Sequence, residues 1–127
     1  MNDQRVLRRN SFDKSKRLSR ASEYDCVLKF ADSVFRSGPL RISAKSSARG
    51  IARLGMIVPK RIARSSVRRN EIKRTIREWF RCNPSVGSLD VVVSLRSLPV
   101  HGSSISSAIR RSLHKWERSI RASDDGR

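Results

Sequence analysis

The strongest periodic pattern in the chain lies at residues 68–81, where apolar and basic positions separate onto opposite sides of a helix. At about 100° per residue, one arc collects the apolar side chains: Ile72, Ile76, Trp79 and Phe80. The opposite arc collects amide and basic side chains: Asn70, Lys73, Arg74, Arg77 and Arg81. This pattern predicts a helix that begins near Ser65 or Ser66 and ends before Asn83-Pro84, because proline disfavours helical geometry in the residue before it.

Weaker patterns precede that helix. Ser22 can cap a first helix, with Asp25 three residues later near its positive end. The turn signal Gly38-Pro39 comes before residues 40–45, whose strict alternation of apolar and polar residues is typical of a strand with one accessible face. Residues 54–58 predict a second strand, which we expect to pair with the first as a hairpin.

Two patterns follow the central helix. Residues 89–95 form a β-branched run that suits an interior strand, and apolar residues recur at helical spacing from 105 to 120. No internal repeat is present, which excludes a solenoid. The order α-β-β-α-β-α predicts a single-domain α+β sandwich. Residues 1–11 and 122–127 are expected to be mobile tails around a domain at 12–121.

The net charge is the strongest indication of what this protein binds, because 29 basic against 11 acidic residues leave a formal net charge of +18 on 127 residues. A compact body with that charge repels itself unless an anionic partner neutralises it. Nucleic acid is therefore the leading partner. An apolar fraction of 37% is low but sufficient for a small folded core.

Cysteine spacing and the length of the apolar runs argue against a zinc protein and against a membrane or secreted protein. Cys26 and Cys82 have no C-x-x-C or paired-histidine spacing, so we expect reduced thiols and no zinc site. No apolar run approaches the roughly 20 residues that cross a bilayer, and the first residues lack the apolar stretch of a signal peptide. A cytoplasmic protein without a membrane partner is expected.

Several strings along the chain resemble the bacterial ribonuclease P protein family. They are residues 53–61 (RLGMIVPKR), 68–74 (RRNEIKR) and 76–78 (IRE), with support from Phe12, residues 16–18, residues 22–24, residues 90–93 and Trp116. The resemblance covers roughly residues 12 to 118 and implies a four-stranded sheet with a left-handed β-α-β crossover, the fold of the second domain of a small-subunit ribosomal protein. The fourth strand that it implies, written in parentheses in the order α-β-β-(β)-α-β-α, is expected as a short edge strand near residues 32–36. General handedness rules would not predict that crossover.

By resemblance, the chain is the protein subunit of an RNA-based endoribonuclease. Such a subunit binds a catalytic RNA and the 5′ leader of precursor tRNA, and the RNA with magnesium cuts the leader from the mature 5′ end. The resemblance implies no obligatory protein partner and no cofactor held by the protein itself.

The residues agree with a protein that has no active site of its own. His101 lies in a Pro-Val-His-Gly turn, His114 lies between Leu113 and Lys115, and both are expected to be surface histidines. The one adjacent acidic pair, Asp124-Asp125, belongs to the expected tail, which argues against a two-metal centre built by the protein.

The resemblance also implies which residues contact the catalytic RNA: Arg69, Asn70, Lys73, Arg74 and Arg77, with Arg68, Lys60 and Arg61 extending the surface. An arginine fork donates to two phosphate oxygens, and an asparagine can bind a sugar hydroxyl or a base edge. Glu71 occupies a position that is usually basic in the family. Since it turns away from the basic arc, we expect it to pair with a neighbouring arginine.

A second implied site is a cleft for the single-stranded leader between the first helix and the sheet. Its expected residues are Phe12, Arg17, Tyr24 and Leu28, with Ser43, Lys45, Met56 and Val58 as its floor. Stacking of bases on aromatic side chains suits a cleft that accepts many sequences. Alternation alone does not say which face of the sheet points outward. Ordinary core packing is the alternative for both aromatic residues, and a solvated charged face is the alternative for the basic helix.

Other classes of function remain open at this point. A structural RNA-binding protein of the ribosomal type would share the size, charge and fold class. A DNA-binding regulator would need a helix-turn-helix, and the segment before Arg68 has the pattern of strand and loop. A protein ribonuclease would need a grouped acid, base or metal cluster.

Overall fold

The computed structural model describes residues 17–47, 50–83, 88–98 and 104–125. In this part of the chain the elements are, in order, α1 (Ala21–Phe30), β1 (Ser33–Ser37), β2 (Leu40–Ser46), β3 (Arg53–Ile57), α2 (Ser66–Cys82), β4 (Leu89–Leu95) and α3 (Ile105–Asp125). The strands form one sheet in the order β1-β2-β4-β3. β2 is antiparallel to both of its neighbours, β1 and β4, whereas β3 is parallel to β4.

The mixed α+β architecture and most elements are confirmed. α2 begins where its pattern predicts, because the side chain of Ser65 caps it by accepting a hydrogen bond from the backbone N–H of Arg68 at 3.3 Å. At the other end, the backbone N–H of Asn83 donates to the carbonyl of Phe80. β1 is the short edge strand expected near residues 32–36, and the apolar run of β4 occupies the interior of the sheet.

The expected hairpin between the second and third strands is wrong. β4 lies between β2 and β3 and pairs with both. Val91, Val92 and Val93 are each 0% exposed, and a strand so apolar gains most from a position where both faces and both edges are covered. Periodicity reports which face of a strand is buried but not which strand lies beside it.

The first helix also begins differently from its prediction. It starts at Ala21 with Arg20 as its N-cap, and Ser22 lies inside the first turn. Glu23 at the third helical position accepts the backbone N–H groups of Ser19 and Arg20, each at 3.0 Å. Glu23, rather than Asp25, is therefore the carboxylate that stabilises the start of this helix, because it accepts from two backbone donors there.

The helices cover both faces of the sheet. One face packs against α2 and α3 in the main core, which includes Ile42, Ile76, Val93, Leu113 and Trp116. The other face carries α1, where Val27 joins Leu18 and Val92 in a smaller cluster. Ser43 is consequently buried even though it lies on the polar side of its strand.

The last helix is longer than its pattern predicts. α3 runs to Asp125, so residues 122–125 are helical where a tail was expected to begin. Nothing in the sequence breaks the helix before Gly126, which explains the extension. The expected handedness of the crossover through α2 stays a prediction.

Candidate nucleic-acid interface

The two arcs of α2 are separated in the structure as its periodicity requires. Its apolar residues are buried against the sheet and α3: Ile72, Ile76, Trp79 and Phe80. Arg68 is exposed, but it lies four residues before Ile72 and therefore on the apolar side of the helix, and its contact with RNA stays a prediction. On the opposite side, Asn70 and Arg74 are exposed, while Lys73 and Arg77 are half-buried. The exposed and half-buried residues present a basic surface that we call the α2 arc, formed by Asn70, Lys73, Arg74, Arg77 and Arg81.

Arg69 does not belong to that open surface. Its Nη1 donates to the carbonyl of Ala63 at 3.0 Å and to that of Arg64 at 2.9 Å. These bonds hold the turn before α2, which carries the exposed side chains of Lys60 and Arg61. The arrangement makes Arg69 a positioning residue for the turn, and its direct contact with RNA stays a prediction.

Glu71 is turned toward α3. Its Oε2 accepts a hydrogen bond from Ser106 Oγ at 3.5 Å, and Ser106 Oγ lies 3.2 Å from Thr75 Oγ1. The expected pairing of Glu71 with an arginine is wrong, because the ion pairs among the described residues involve only Arg53 and Arg121 as cations. The side of α2 that carries Glu71 faces the next helix, where arginine side chains of the α2 arc do not reach.

A groove of about 180 Å³ lies at the outer edge of β3, where the two expected sites meet. The segment before α1 forms its upper wall, since the backbone N–H of Leu18 donates to the carbonyl of Leu54 at 2.9 Å. The groove combines three residues expected in the leader cleft with two residues of the α2 arc and two leucines: Arg17, Tyr24 and Met56, then Lys73 and Arg77, then Leu18 and Leu54. The basic surface of α2 therefore continues into a concave edge of the sheet.

Tyr24 is held rigidly in this groove. Its Oη accepts the backbone N–H of Met56 at 3.1 Å, which satisfies a donor on the free edge of β3. Its ring lies so close to Gly55 that a Cβ at that position would come within 2.7 Å of two ring carbons. The glycine inside the strand thus permits the close approach of the aromatic ring.

Replacing Gly55 with alanine should displace this ring. We expect the Gly55→Ala variant to lose about 1–3 kcal/mol in the free energy of unfolding, as overpacking typically does, measured by urea denaturation. The same change in a Tyr24→Ala background should cost much less, because the new methyl group then has space. An equal cost in both backgrounds would contradict the contact.

The expected floor of the leader cleft divides between the two faces of the sheet. Ser43 is in register with Val92 and Gly55, so it lies on the α1 face, and Lys45 follows on that same face. Met56 is in register with Val93, and both Met56 and Val58 pack against the main core on the opposite face. The expectation that all four line one floor is wrong, because Met56 and Val58 lie one residue out of phase with Ser43.

The remaining residues expected in the cleft have different surroundings. Leu28 is 38% exposed on α1, and Arg17 is exposed at the groove. Phe12 lies outside the described residues. Arg41, which the sequence did not single out, is half-buried on the α1 face, and its Nε is buried without a partner among the described atoms.

Arg53 fastens α1 to the sheet beneath this groove. Its Nε and Nη2 donate to the two carboxylate oxygens of Asp90 at 2.9 and 2.8 Å, and its Nη1 donates to Glu23 at 2.6 Å. Only 13% of the Arg53 side chain is exposed. Sequence reasoning missed this residue, since nothing in a basic chain distinguishes the one arginine that lies between two acids.

The same contacts hold Glu23 ionised. The backbone N–H groups of Arg20 and Ser19, followed by the ion pair with Arg53, lower the pKa of Glu23 from 4.5 to about 2. A carboxyl whose pKa falls on folding stabilises the folded state at pH values above its pKa in the unfolded chain. That contribution is lost as the pH drops through its pKa in the folded protein.

This pKa shift predicts an acid dependence of stability. The wild-type protein should exceed a Glu23→Gln variant in free energy of unfolding above pH 4.5, and the difference should shrink as the pH falls toward about 2. Urea denaturation across that range measures it. A difference that does not change with pH would mean that the charge of Glu23 adds nothing.

Candidate metal-ligating side chains are not grouped in the part of the chain that the structure describes. No group of three or more histidine, cysteine or acidic side chains is placed to hold a metal ion there. His114 is exposed, whereas His101 lies outside the described residues. Cys26 and Cys82 are both free and exposed. Among the described helices, none has the length and apolar character that a bilayer span requires.

Comparison with known proteins decides the family. The family model for ribonuclease P matches residues 12–121. The chain belongs to the ribonuclease P protein family. It is 47% identical over 89 residues to the ribonuclease P protein component of Nitrosomonas eutropha, and the matched region spans 68% of this chain and 73% of that protein. It is 37% identical over 83 residues to the component of Marinobacter nauticus, spanning 65% of this chain and 63% of that protein.

Solved ribonuclease P proteins share the fold. The structure from Staphylococcus aureus matches with a TM-score of 0.73 at 24% identity, covering 84% of this chain and 96% of that one. The structure from Thermotoga maritima matches with a TM-score of 0.64 at 22% identity, covering 79% of this chain and 93% of that one. Membership in this family makes the chain a component of the ribonuclease P complex, an endonuclease of tRNA 5′ processing, and implies an RNA partner.

Proposed function

We propose that this chain binds the catalytic RNA of ribonuclease P through the α2 arc and receives the 5′ leader of precursor tRNA along the adjoining groove and the α1 face of the sheet. The observation that carries the proposal is the continuity of the two surfaces at the edge of β3. Lys73 and Arg77 of the α2 arc line the same groove as Arg17 and Tyr24. One protein surface can therefore contact two RNA molecules that lie side by side.

The chemistry of the groove suits a single strand. Its cations can neutralise phosphates without reading sequence, which a subunit serving many precursors requires. The exposed part of the Tyr24 ring offers an apolar surface for a base or sugar. Arg41, whose Nε has no hydrogen-bond partner among the described atoms, adds a cation farther along the α1 face.

In this proposal the protein contributes binding, and the RNA contributes the reaction. Magnesium ions held by the RNA supply the metal chemistry of phosphodiester cleavage. The cations of the α2 arc and groove reduce the repulsion between two polyanions that must approach closely, so less magnesium is needed for assembly. The protein needs no acid, base or metal ligand of its own for this role.

A reconstitution at low magnesium tests the proposal. A bacterial ribonuclease P RNA and a labelled precursor tRNA are mixed with and without the protein, and each component is also run alone. Cleavage at the mature 5′ end only in the complete mixture is expected. If the folded protein binds the RNA without increasing cleavage, while the RNA alone cuts at high magnesium, the chain is a structural RNA-binding protein instead.

A further inference from the structure

A second basic surface lies on the outer side of α3. Arg111, His114, Lys115 and Arg118 are spaced so that they share one face of the helix, and all four are exposed. Together with Glu117 they line a shallow groove of about 450 Å³. We call these four residues the α3 stripe.

The cations of the α3 stripe have no acidic partner among the described residues. The one acid that lines their groove, Glu117, pairs with Arg121 at 3.4 Å, and its side chain is only 11% exposed. Arg111, Lys115 and Arg118 therefore repel one another within a single helix. A face of this kind is stabilised by an external polyanion rather than by the protein itself.

His114 contributes an oriented donor to the stripe. Its Nδ1 lies 3.4 Å from Trp79 Nε1, and an indole nitrogen can only donate, so Nδ1 must accept. In the neutral ring the proton then lies on Nε2, which stays available as a donor. Trp79 is fixed by Phe80 and Trp116, whose ring centroids lie 5.0 and 6.2 Å from its own, so the imidazole has a rigid neighbour.

The α3 stripe is separate from the α2 arc. At about 100° per residue, Glu71 and Glu78 project from the side of α2 between its basic arc and the residues that contact α3. Glu71 faces Ser106 of α3 across that boundary. A single phosphate strand that follows the α2 arc would have to cross this acidic margin to reach the α3 stripe.

We propose that the α3 stripe is a second RNA-binding surface, which contacts the phosphate backbone of a segment of the ribonuclease P RNA other than the one bound by the α2 arc. The inference rests on the proposed function and adds a second contact to it. Arg118 lies seven positions after Arg111, or about 10 Å along the helix axis, which is the axial length of about three phosphates on one strand of a duplex.

Charge neutralisation tests the surface. The variant Arg111→Gln, Lys115→Gln, Arg118→Gln is compared with a charge-matched control, Lys29→Gln, Arg36→Gln, Arg96→Gln, whose three side chains are also exposed. Binding to a transcribed bacterial ribonuclease P RNA is measured over a range of salt. We expect the stripe variant to bind about tenfold or more weakly and to lose about 2 to 3 from the slope of log affinity against log salt. The control variant should lose clearly less RNA affinity and show a smaller change in the salt slope.

A directed cleavage experiment locates the contact. In a Cys26→Ser, Cys82→Ser background, an iron chelate that generates hydroxyl radicals is attached to Lys115→Cys or to Arg74→Cys. The two sites should cut different segments of the RNA. Cuts in the same segment, or none from position 115, would overturn the proposal.

The outcomes separate this inference from the proposed function. If the wild-type protein neither binds the RNA nor promotes leader cleavage, the proposed function fails and the second surface fails with it. If the wild-type protein does both while the stripe variant behaves like its charge-matched control, only the α3 surface is overturned.

Discussion

Replacing Arg53 with methionine is expected to lower the free energy of unfolding by about 3 kcal/mol, because the change leaves two largely buried carboxylates without their cation. Asp90 accepts two hydrogen bonds from this guanidinium and Glu23 accepts one, and their side chains are only 10% and 23% exposed. Methionine keeps much of the volume but none of the charge. The loss should also loosen α1, since Arg53 joins its first turn to β3 and β4.

Urea denaturation of the Arg53→Met variant measures this effect. The control is Arg96→Met, which removes an exposed arginine and should change stability by less than about 0.5 kcal/mol. A triple variant that adds Glu23→Gln and Asp90→Asn should recover part of the loss, because the unpaired charges are then gone. If Arg53→Met is no less stable than Arg96→Met, the ion pairs do not hold the first helix.

Neutralising Arg74 and Arg77 is expected to weaken binding to ribonuclease P RNA by about 100-fold, on the basis of about 1.5 kcal/mol for each charged hydrogen bond. Arg74 is exposed on the α2 arc, and Arg77 reaches the groove at β3 with its Nε buried and unpartnered among the described atoms. Glutamine is the better replacement because it keeps most of the side-chain packing. Arg69 is unsuitable for this test, since its loss would also release the turn at Ala63 and Arg64.

The Arg74→Gln, Arg77→Gln variant should also lower the slope of log affinity against log salt by about 2, one for each phosphate contact. Lys29→Gln, Arg96→Gln supplies the charge-matched control. A loss of affinity that is equal in both variants would mean that net charge, rather than the α2 arc, determines binding. Thermal denaturation of both variants shows whether either change has disturbed the fold.

Much of the candidate site could be predicted before the fold was known. The α2 arc follows directly from helical periodicity, since Ile72 and Ile76 must be buried and Arg74 must then point away. The cleft was predicted less well: its residues were named by resemblance, and a strand shows which residues alternate but not what covers each face. Met56 and Ser43 therefore appeared equivalent, although they lie on opposite faces of the sheet.

Most local elements, the separation of apolar and basic sides on α2, and the need for a polyanionic partner follow from the amino-acid sequence alone. These properties depend on neighbouring residues or on total charge, and both can be read along the chain. Three features can be seen only in the folded structure: β4 separates β2 from β3, Arg53 lies between Glu23 and Asp90, and Tyr24 covers Gly55. These contacts join residues about thirty or more positions apart, and their energies come from the burial and pairing of groups that no local pattern brings together.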